Sequence, residues 1–190
     1  MPRIEAPTVA EHHALRRAAI LDAAVAVLAA EGPAALTPSA VAAAAGLARS
    51  SVYQYFASTA ELLAAGVEET FRRAIAGIGA ALATAATPKD KIAAYVGGAL
   101  DAAASGHEPM SVYAAADLPE ACRAAVADLH RQATFPLVEP LEQLGVADPW
   151  AVAELIGGVV SAGANQVSRG EPLDAARGRV QAFVLRALAL

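Results

Sequence analysis

A chain of 190 residues, 56% hydrophobic and 17% charged, has material for a sizeable core, which excludes global disorder. Its net charge of −5 argues at first against a nucleic-acid partner, and the single Cys122 excludes an internal disulfide and fits a reducing cytosol. Met1 to Glu11 is polar, and every apolar run is interrupted before the ~18 residues that a membrane span needs, so the reading is a soluble, cytoplasmic protein. The distribution of charge softens the first argument. Up to Ala57 there are four basic and four acidic residues, and from Ser58 onward ten against fifteen, so the acidity lies entirely in the later part.

In chain order, Met1 to Glu11 with its two prolines reads as an arm, and a first helix runs from about His13 to Glu31. Its apolar face is broad: Leu15, Ala18, Asp22, Val25 and Leu28 trace one spacing, and Ile20, Ala24, Val27 and Leu28 another. Gly32-Pro33 ends it. Thr37 can cap a second helix, with Pro38 at the first helical position, where no amide donor is needed. Ala40 to Ala45 favour helix, and Gly46 allows the left-handed backbone that stops it. A third helix begins near Arg49, with Val52 and Phe56 four apart on an inward face beside Leu36, Val41 and Leu47. Arg49, Ser50, Tyr53 and Gln54 then point mainly outward. Two short helices joined this way form a helix-turn-helix whose second helix can enter a DNA major groove.

Ser58 caps a fourth helix, in which Leu62, Leu63, Val67, Phe71, Ile75, Ile78 and Leu82 recur at three or four residues. A fifth runs from Pro88 to about Ser105 and a short sixth from Pro109 to about Ala116. Pro119 opens a longer one reaching Leu144, which Pro136 and Pro140 should kink or fragment. Asp148-Pro149 starts the next, to about Arg169, and Pro172 opens the last. No stretch alternates with period two over strand length. The fold class is all-α with about nine helices: a helix-turn-helix domain over 1–57 and an effector-binding and dimerisation domain over 58–190.

Residues Arg16 to Leu63 resemble the DNA-binding domain of tetracycline-repressor (TetR) type transcriptional regulators. The match is carried in order and spacing by Ile20-Leu21-Asp22-Ala23-Ala24, Glu31-Gly32, Leu36-Thr37, Val41-Ala42, Ala45-Gly46-Leu47, Ser51-Val52-Tyr53, Tyr55-Phe56 and Glu61-Leu62-Leu63. The resemblance implies a homodimer on a palindromic double-stranded DNA operator, its reading helices one DNA turn apart (~34–36 Å), with an effector pocket in the carboxyl-terminal domain. In three places the chain departs from the family pattern: Thr59 where a phosphate-contacting Lys is common, Ala60 where an acid often follows, and Ala48 where a Ser or Thr cap opens the reading helix. Losing a charged phosphate contact should weaken binding and flatten its salt dependence.

Within this frame the candidate DNA contacts are Thr37, Arg49, Ser50, Ser51, Tyr53, Gln54 and Tyr55. Arg49 can bind guanine O6 and N7 in bidentate fashion, and Ser50 and Gln54 can reach base edges. The tyrosine hydroxyls suit phosphate oxygens, as do the Thr37 hydroxyl and the amides it caps. In the last two long helices the apolar stripes suggest a two-fold four-helix interface through Trp150, Ile156, Val160, Gly163, Val167, Val180, Phe183 and Val184. A second stripe, Val152, Leu155, Val159 and Gly163, lies beside the first. Tyr95, Met110, Tyr113, Phe135, Trp150 and Asn165 are candidate liners of a pocket for a small, apolar effector.

His107, Glu108, Cys122 and His130 match no tight ligand spacing, so no metal is expected. No nucleophile motif, phosphate-cradling glycine loop or paired carboxylate stands out, so neither an enzyme nor a cofactor is expected. The competing reading is a ligand-binding or scaffold protein that keeps the fold and has lost DNA binding.

Overall fold

A computed structural model describes residues 9–105 and 120–190. They form nine α-helices and two 3-10 turns, with no strand among the described residues. The chain divides into two compact units, Met1–Gly66 and Val67–Leu190. The sequence suggests a boundary at 57–58, where the helix-turn-helix ends; the units part within a helix because its first two turns belong to the amino-terminal unit. There Gly66 lies against Leu28 and Ala24, and a Cβ at that position would stand 3.1 Å from the Leu28 Cδ1.

The amino-terminal unit contains α1 (Val9–Glu31), α2 (Pro38–Ala44), α3 (Arg49–Tyr53) and the start of α4 (Thr59–Leu82). Helix α1 begins four residues earlier than expected, and its core face begins later: Ile20, Ala23, Ala24, Val25, Val27 and Leu28 are buried, whereas Leu15 is 62% exposed. The expected arm lies outside the described residues as far as position 8. Leu36, Val41, Val52, Phe56 and Leu62 complete the core, and Leu47 is only half-buried.

The second unit comprises the rest of α4, α5 (Pro88–Ala104), α6 (Glu120–Thr134), a 3-10 turn (Phe135–Leu137), α7 (Val138–Gln143), α8 (Pro149–Ser168) and α9 (Leu173–Ala187). The expected helix from Pro109 to Ala116 lies outside the described residues. Pro136 breaks the 119–144 segment as anticipated: it lacks an amide donor, and the chain passes through the 3-10 turn before α7 resumes. Thr87 and Asp90 close a reciprocal capping box at the start of α5, and Asp148 caps α8 by accepting from the Ala151 amide at 3.1 Å. One core joins α5, α8 and α9 through residues such as Val96, Leu100, Ile156, Val160, Val180 and Val184.

On α4, Glu69 accepts hydrogen bonds from Arg72 at 2.6 and 2.7 Å and from Arg73 at 2.7 Å. The Arg72 hydrogen bonds hold its carboxyl down at about 2, against the opposing effect of partial burial, with Arg73 assisting. A carboxylate depressed in the folded state stabilises fully above its unfolded value near 4.5 and loses that contribution as pH falls toward 2. Arg72 is largely exposed, so solvent screening reduces the effect to about 0.5–1 kcal/mol. Glu69→Gln should therefore lower stability at pH 7 by about that amount and be near neutral at pH 2, as urea titrations at the two pH values would reveal.

Candidate nucleic-acid interface

The turn between α2 and α3 is built from local backbone rules. Thr37 is extended, and its hydroxyl accepts from the Ala40 amide at 3.1 Å, fixing the start of α2 with Pro38 at the first helical position. At the other end Gly46 has φ 65°, and paired bonds from the Leu47 amide to Ala42 O (2.8 Å) and from the Gly46 amide to Ala43 O (3.2 Å) close the helix. That double closure requires the left-handed residue that glycine supplies without strain. Ala48 opens α3 with no side-chain cap, so α3 is held by its buried side, where Val52 and Phe56 are 0% and 2% exposed.

Burying those two residues turns the rest of the segment outward. Arg49, Ser50, Tyr53 and Gln54 are exposed, and Ser51 and Tyr55 are half-buried. Arg49 folds back along α3: its Nη2 donates to the Tyr53 hydroxyl at 3.3 Å, and its guanidinium carbon lies 5.6 Å from the centre of that ring. This weak, exposed pairing leaves the guanidinium able to swing outward. Beyond α3, Ser58 accepts from the Glu61 amide at 3.1 Å, and the Glu61 carboxylate accepts from the Ala57 amide at 2.7 Å, capping α4 as its sequence implied.

Two further side chains reach this edge, and spacing alone gave no sign of the aromatic rings they meet. His13 stacks on Tyr55, ring centres 4.5 Å apart, and Arg17 lies 5.3 Å over the Phe56 ring. They are one helical turn apart on α1, but some forty residues separate them from their aromatic partners, a pairing that only the folded unit creates.

In the second unit the candidate dimer residues separate into two groups. Ile156, Val160, Gly163, Val180 and Val184 are buried in the chain's own core, and Val167 is half-buried. Trp150 and Phe183 are 40% and 54% exposed. On the outward side of α8 and α9, Leu155 (70% exposed) and Val159 of the second stripe, with Gly158, Ala162, Phe183 and the polar Glu154, Gln166 and Arg179, line an open groove of about 550 Å³. Helix α5 packs along α8 and α9 and so fixes which residues the monomer covers.

The candidate pocket residues scatter too. Tyr95 lines an apolar cavity of about 30 Å³ with Ala74, Ile78, Ala99, Ala102 and Val160. Burial pushes the Tyr95 phenol up to about 12, a bond from Thr134 partly opposing it, so the hydroxyl is neutral at physiological pH. Phe135 and Trp150 are at the surface, their rings 6.2 Å apart, and Asn165 is exposed. Met110 and Tyr113 lie outside the described residues. The alanines around the cavity gave no signal in a sequence where alanine is everywhere.

The geometry can be set beside known proteins. Residues 20–65 match the family model for bacterial regulatory proteins of the tetR family. No curated protein matches the chain. A TetR-like transcriptional regulator from Rhodococcus sp. RHA1 is 24% identical, with a TM-score of 0.76 over 97% of this chain and 99% of that one. FadR from Bacillus subtilis, solved in complex with stearoyl-CoA, is 20% identical, with a TM-score of 0.72 over 88% of this chain and 96% of its own. LfrR from Mycobacterium smegmatis, solved in complex with proflavine, is 25% identical, with a TM-score of 0.71 over 91% and 96%. The matched segment spans the capped α2, the glycine turn and the outward-facing α3, and the all-helical fold is shared along nearly the whole chain. On these grounds residues 20–65 are similar to the DNA-binding segment of bacterial regulatory proteins of the tetR family, and the chain shares the fold of TetR-like transcriptional regulators.

Proposed function

We propose that this regulator is a ligand-responsive repressor that binds a palindromic operator as a homodimer and releases it when a small molecule binds. The observation that carries the DNA-binding reading is the outward face of α3: Arg49, Ser50, Tyr53 and Gln54 exposed together on a helix whose other side is locked by Val52 and Phe56. Such a face suits a major groove, with Arg49 reading guanine and the Tyr53, Tyr55, Thr37 and Ser51 hydroxyls contacting backbone or base edges. The groove along α8 and α9 supports the homodimer, because exposed Leu155 and Phe183 beside the small Gly158 and Ala162 let a second helix pair approach closely.

The Tyr95 cavity is the candidate effector site. At about 30 Å³ it is far smaller than the ~300–1,000 Å³ of ordinary ligand pockets, so an effector must enlarge it. Its alanine walls and neutral phenol favour an uncharged, apolar molecule. The last turns of α4 contribute Ala74 and Ile78 to this wall, and α4 begins in the DNA-binding unit, so an expansion that moves α4 has a covalent route to it. The acyl-CoA and the dye bound by FadR and LfrR are consistent with an effector role for this fold.

The test is selection of genomic fragments on the purified protein at low salt, followed by footprinting. An inverted repeat is expected; recovery of unrelated fragments would sink the operator reading and favour a ligand-binding protein that keeps only the fold. On a recovered operator, Arg49→Ala should weaken binding by roughly 5- to 150-fold, about 1–3 kcal/mol, and relax selectivity at one base pair in each half-site, read by competition with single-base variants.

A further inference from the structure

Affinity for duplex DNA needs cations placed against phosphates, and the amino-terminal unit has few. Among its described residues the arginines are Arg16, Arg17 and Arg49, and no lysine is present. Arg49 stands on the reading helix. The edge after α3 is less favourable to an anion, because Glu61 brings its carboxylate to the Ala57 amide and the neighbouring Ser58 and Thr59 carry no charge.

Arg17 is the cation in position. Its guanidinium is held over Phe56, directly after Tyr55 and three residues before Thr59. Arg17 is exposed, and no carboxylate forms an ion pair with it among the described residues, so its charge faces solvent. One turn earlier on α1, His13 stacks on Tyr55 and so holds that ring, with its hydroxyl, at the same edge. We propose that Arg17 is a phosphate-binding residue, pinned by Phe56 beside the end of the reading helix, and that His13 is a positioning residue for the Tyr55 hydroxyl. The proposal rests on the DNA-binding reading and adds a contact from α1 that the helix-turn-helix itself does not supply.

The experiment measures affinity of the full-length protein for a random-sequence duplex of about 30 base pairs across about 50–300 mM KCl, since phosphate contacts are independent of sequence. R17Q should shrink the slope of log K against log salt by about 0.9 per protomer, near 2 for a dimer, and weaken binding roughly 10-fold or more at about 150 mM. R17K should keep the slope, and R17Q combined with T59K, which restores a cation three residues beyond Phe56, should recover most of it. Loss of the ring contact alone would shift the melting temperature of R17Q and leave the slope unchanged. A folded R17Q with the wild-type slope therefore overturns the proposal and leaves the DNA-binding reading standing. A wild-type protein that binds no duplex at about 50 mM salt overturns both.

Discussion

Phe56→Ala is expected to destabilise the amino-terminal unit by about 3–5 kcal/mol, the range for removing a buried phenylalanine side chain, and to abolish DNA binding at the temperature of the assay. Phe56 is 2% exposed and is the last anchor of the α3 segment, its amide bonded to Val52 O at 3.0 Å. Its loss would leave a cavity on the inward side of α3 and remove the ring under Arg17. Helix α3 has only five residues and no side-chain cap, so it cannot stay helical by itself once that support is gone. Calorimetry should show the amino-terminal transition falling while a second transition, from residues 67–190, is retained. Phe56→Leu, which keeps most of the volume, should lose much less. Equal effects from the two variants would mean that packing at Phe56 is not what holds the reading helix.

Gly163→Ala is expected to destabilise the second unit by about 1–3 kcal/mol, although alanine is the better helix former. A Cβ at this position would stand 2.6 Å from Val180 Cγ2 and 3.2 Å from Leu100 Cδ2, both on buried side chains. Val180 is β-branched and has little rotamer freedom, so α9 itself must shift to relieve the overlap. Gly158 provides the control, about one and a half turns earlier on the same helix. A Cβ added there would have nothing within 4 Å, and Gly158→Ala should stabilise the folded monomer by about 0.5–1 kcal/mol. Denaturant titrations of the two variants should move in opposite directions. Similar movement would show that helix propensity, rather than the close approach of α8 to α9, governs position 163.

These two sites also mark what can be read from residue order and what cannot. The helix-turn-helix was legible because each of its parts is decided within a few residues: the Thr37 cap, Pro38 at the first helical position, the left-handed Gly46, and the four-residue spacing of Val52 and Phe56. The caps at Ser58, Thr87 and Asp148 and the break at Pro136 are local in the same sense, and so the helices fall close to where residue order places them. Which apolar stripe of α8 faces inward was not local. Both stripes have helical spacing and similar side chains, and only the packing of α5 decides that Ile156 and Val160 are covered while Leu155 faces out and Val159 is half-buried.

The same distinction holds at the candidate sites. By itself the sequence determined an all-helical chain with a helix-turn-helix, because capping, turn chemistry and periodicity act over distances shorter than a helix. The tertiary structure decided which distant groups meet: Arg17 and His13 on the Tyr55–Phe56 edge, and Tyr95 among alanines around a nearly closed cavity. Those meetings depend on how helices far apart in the chain pack against one another, and side-chain identity along the chain carries no record of that.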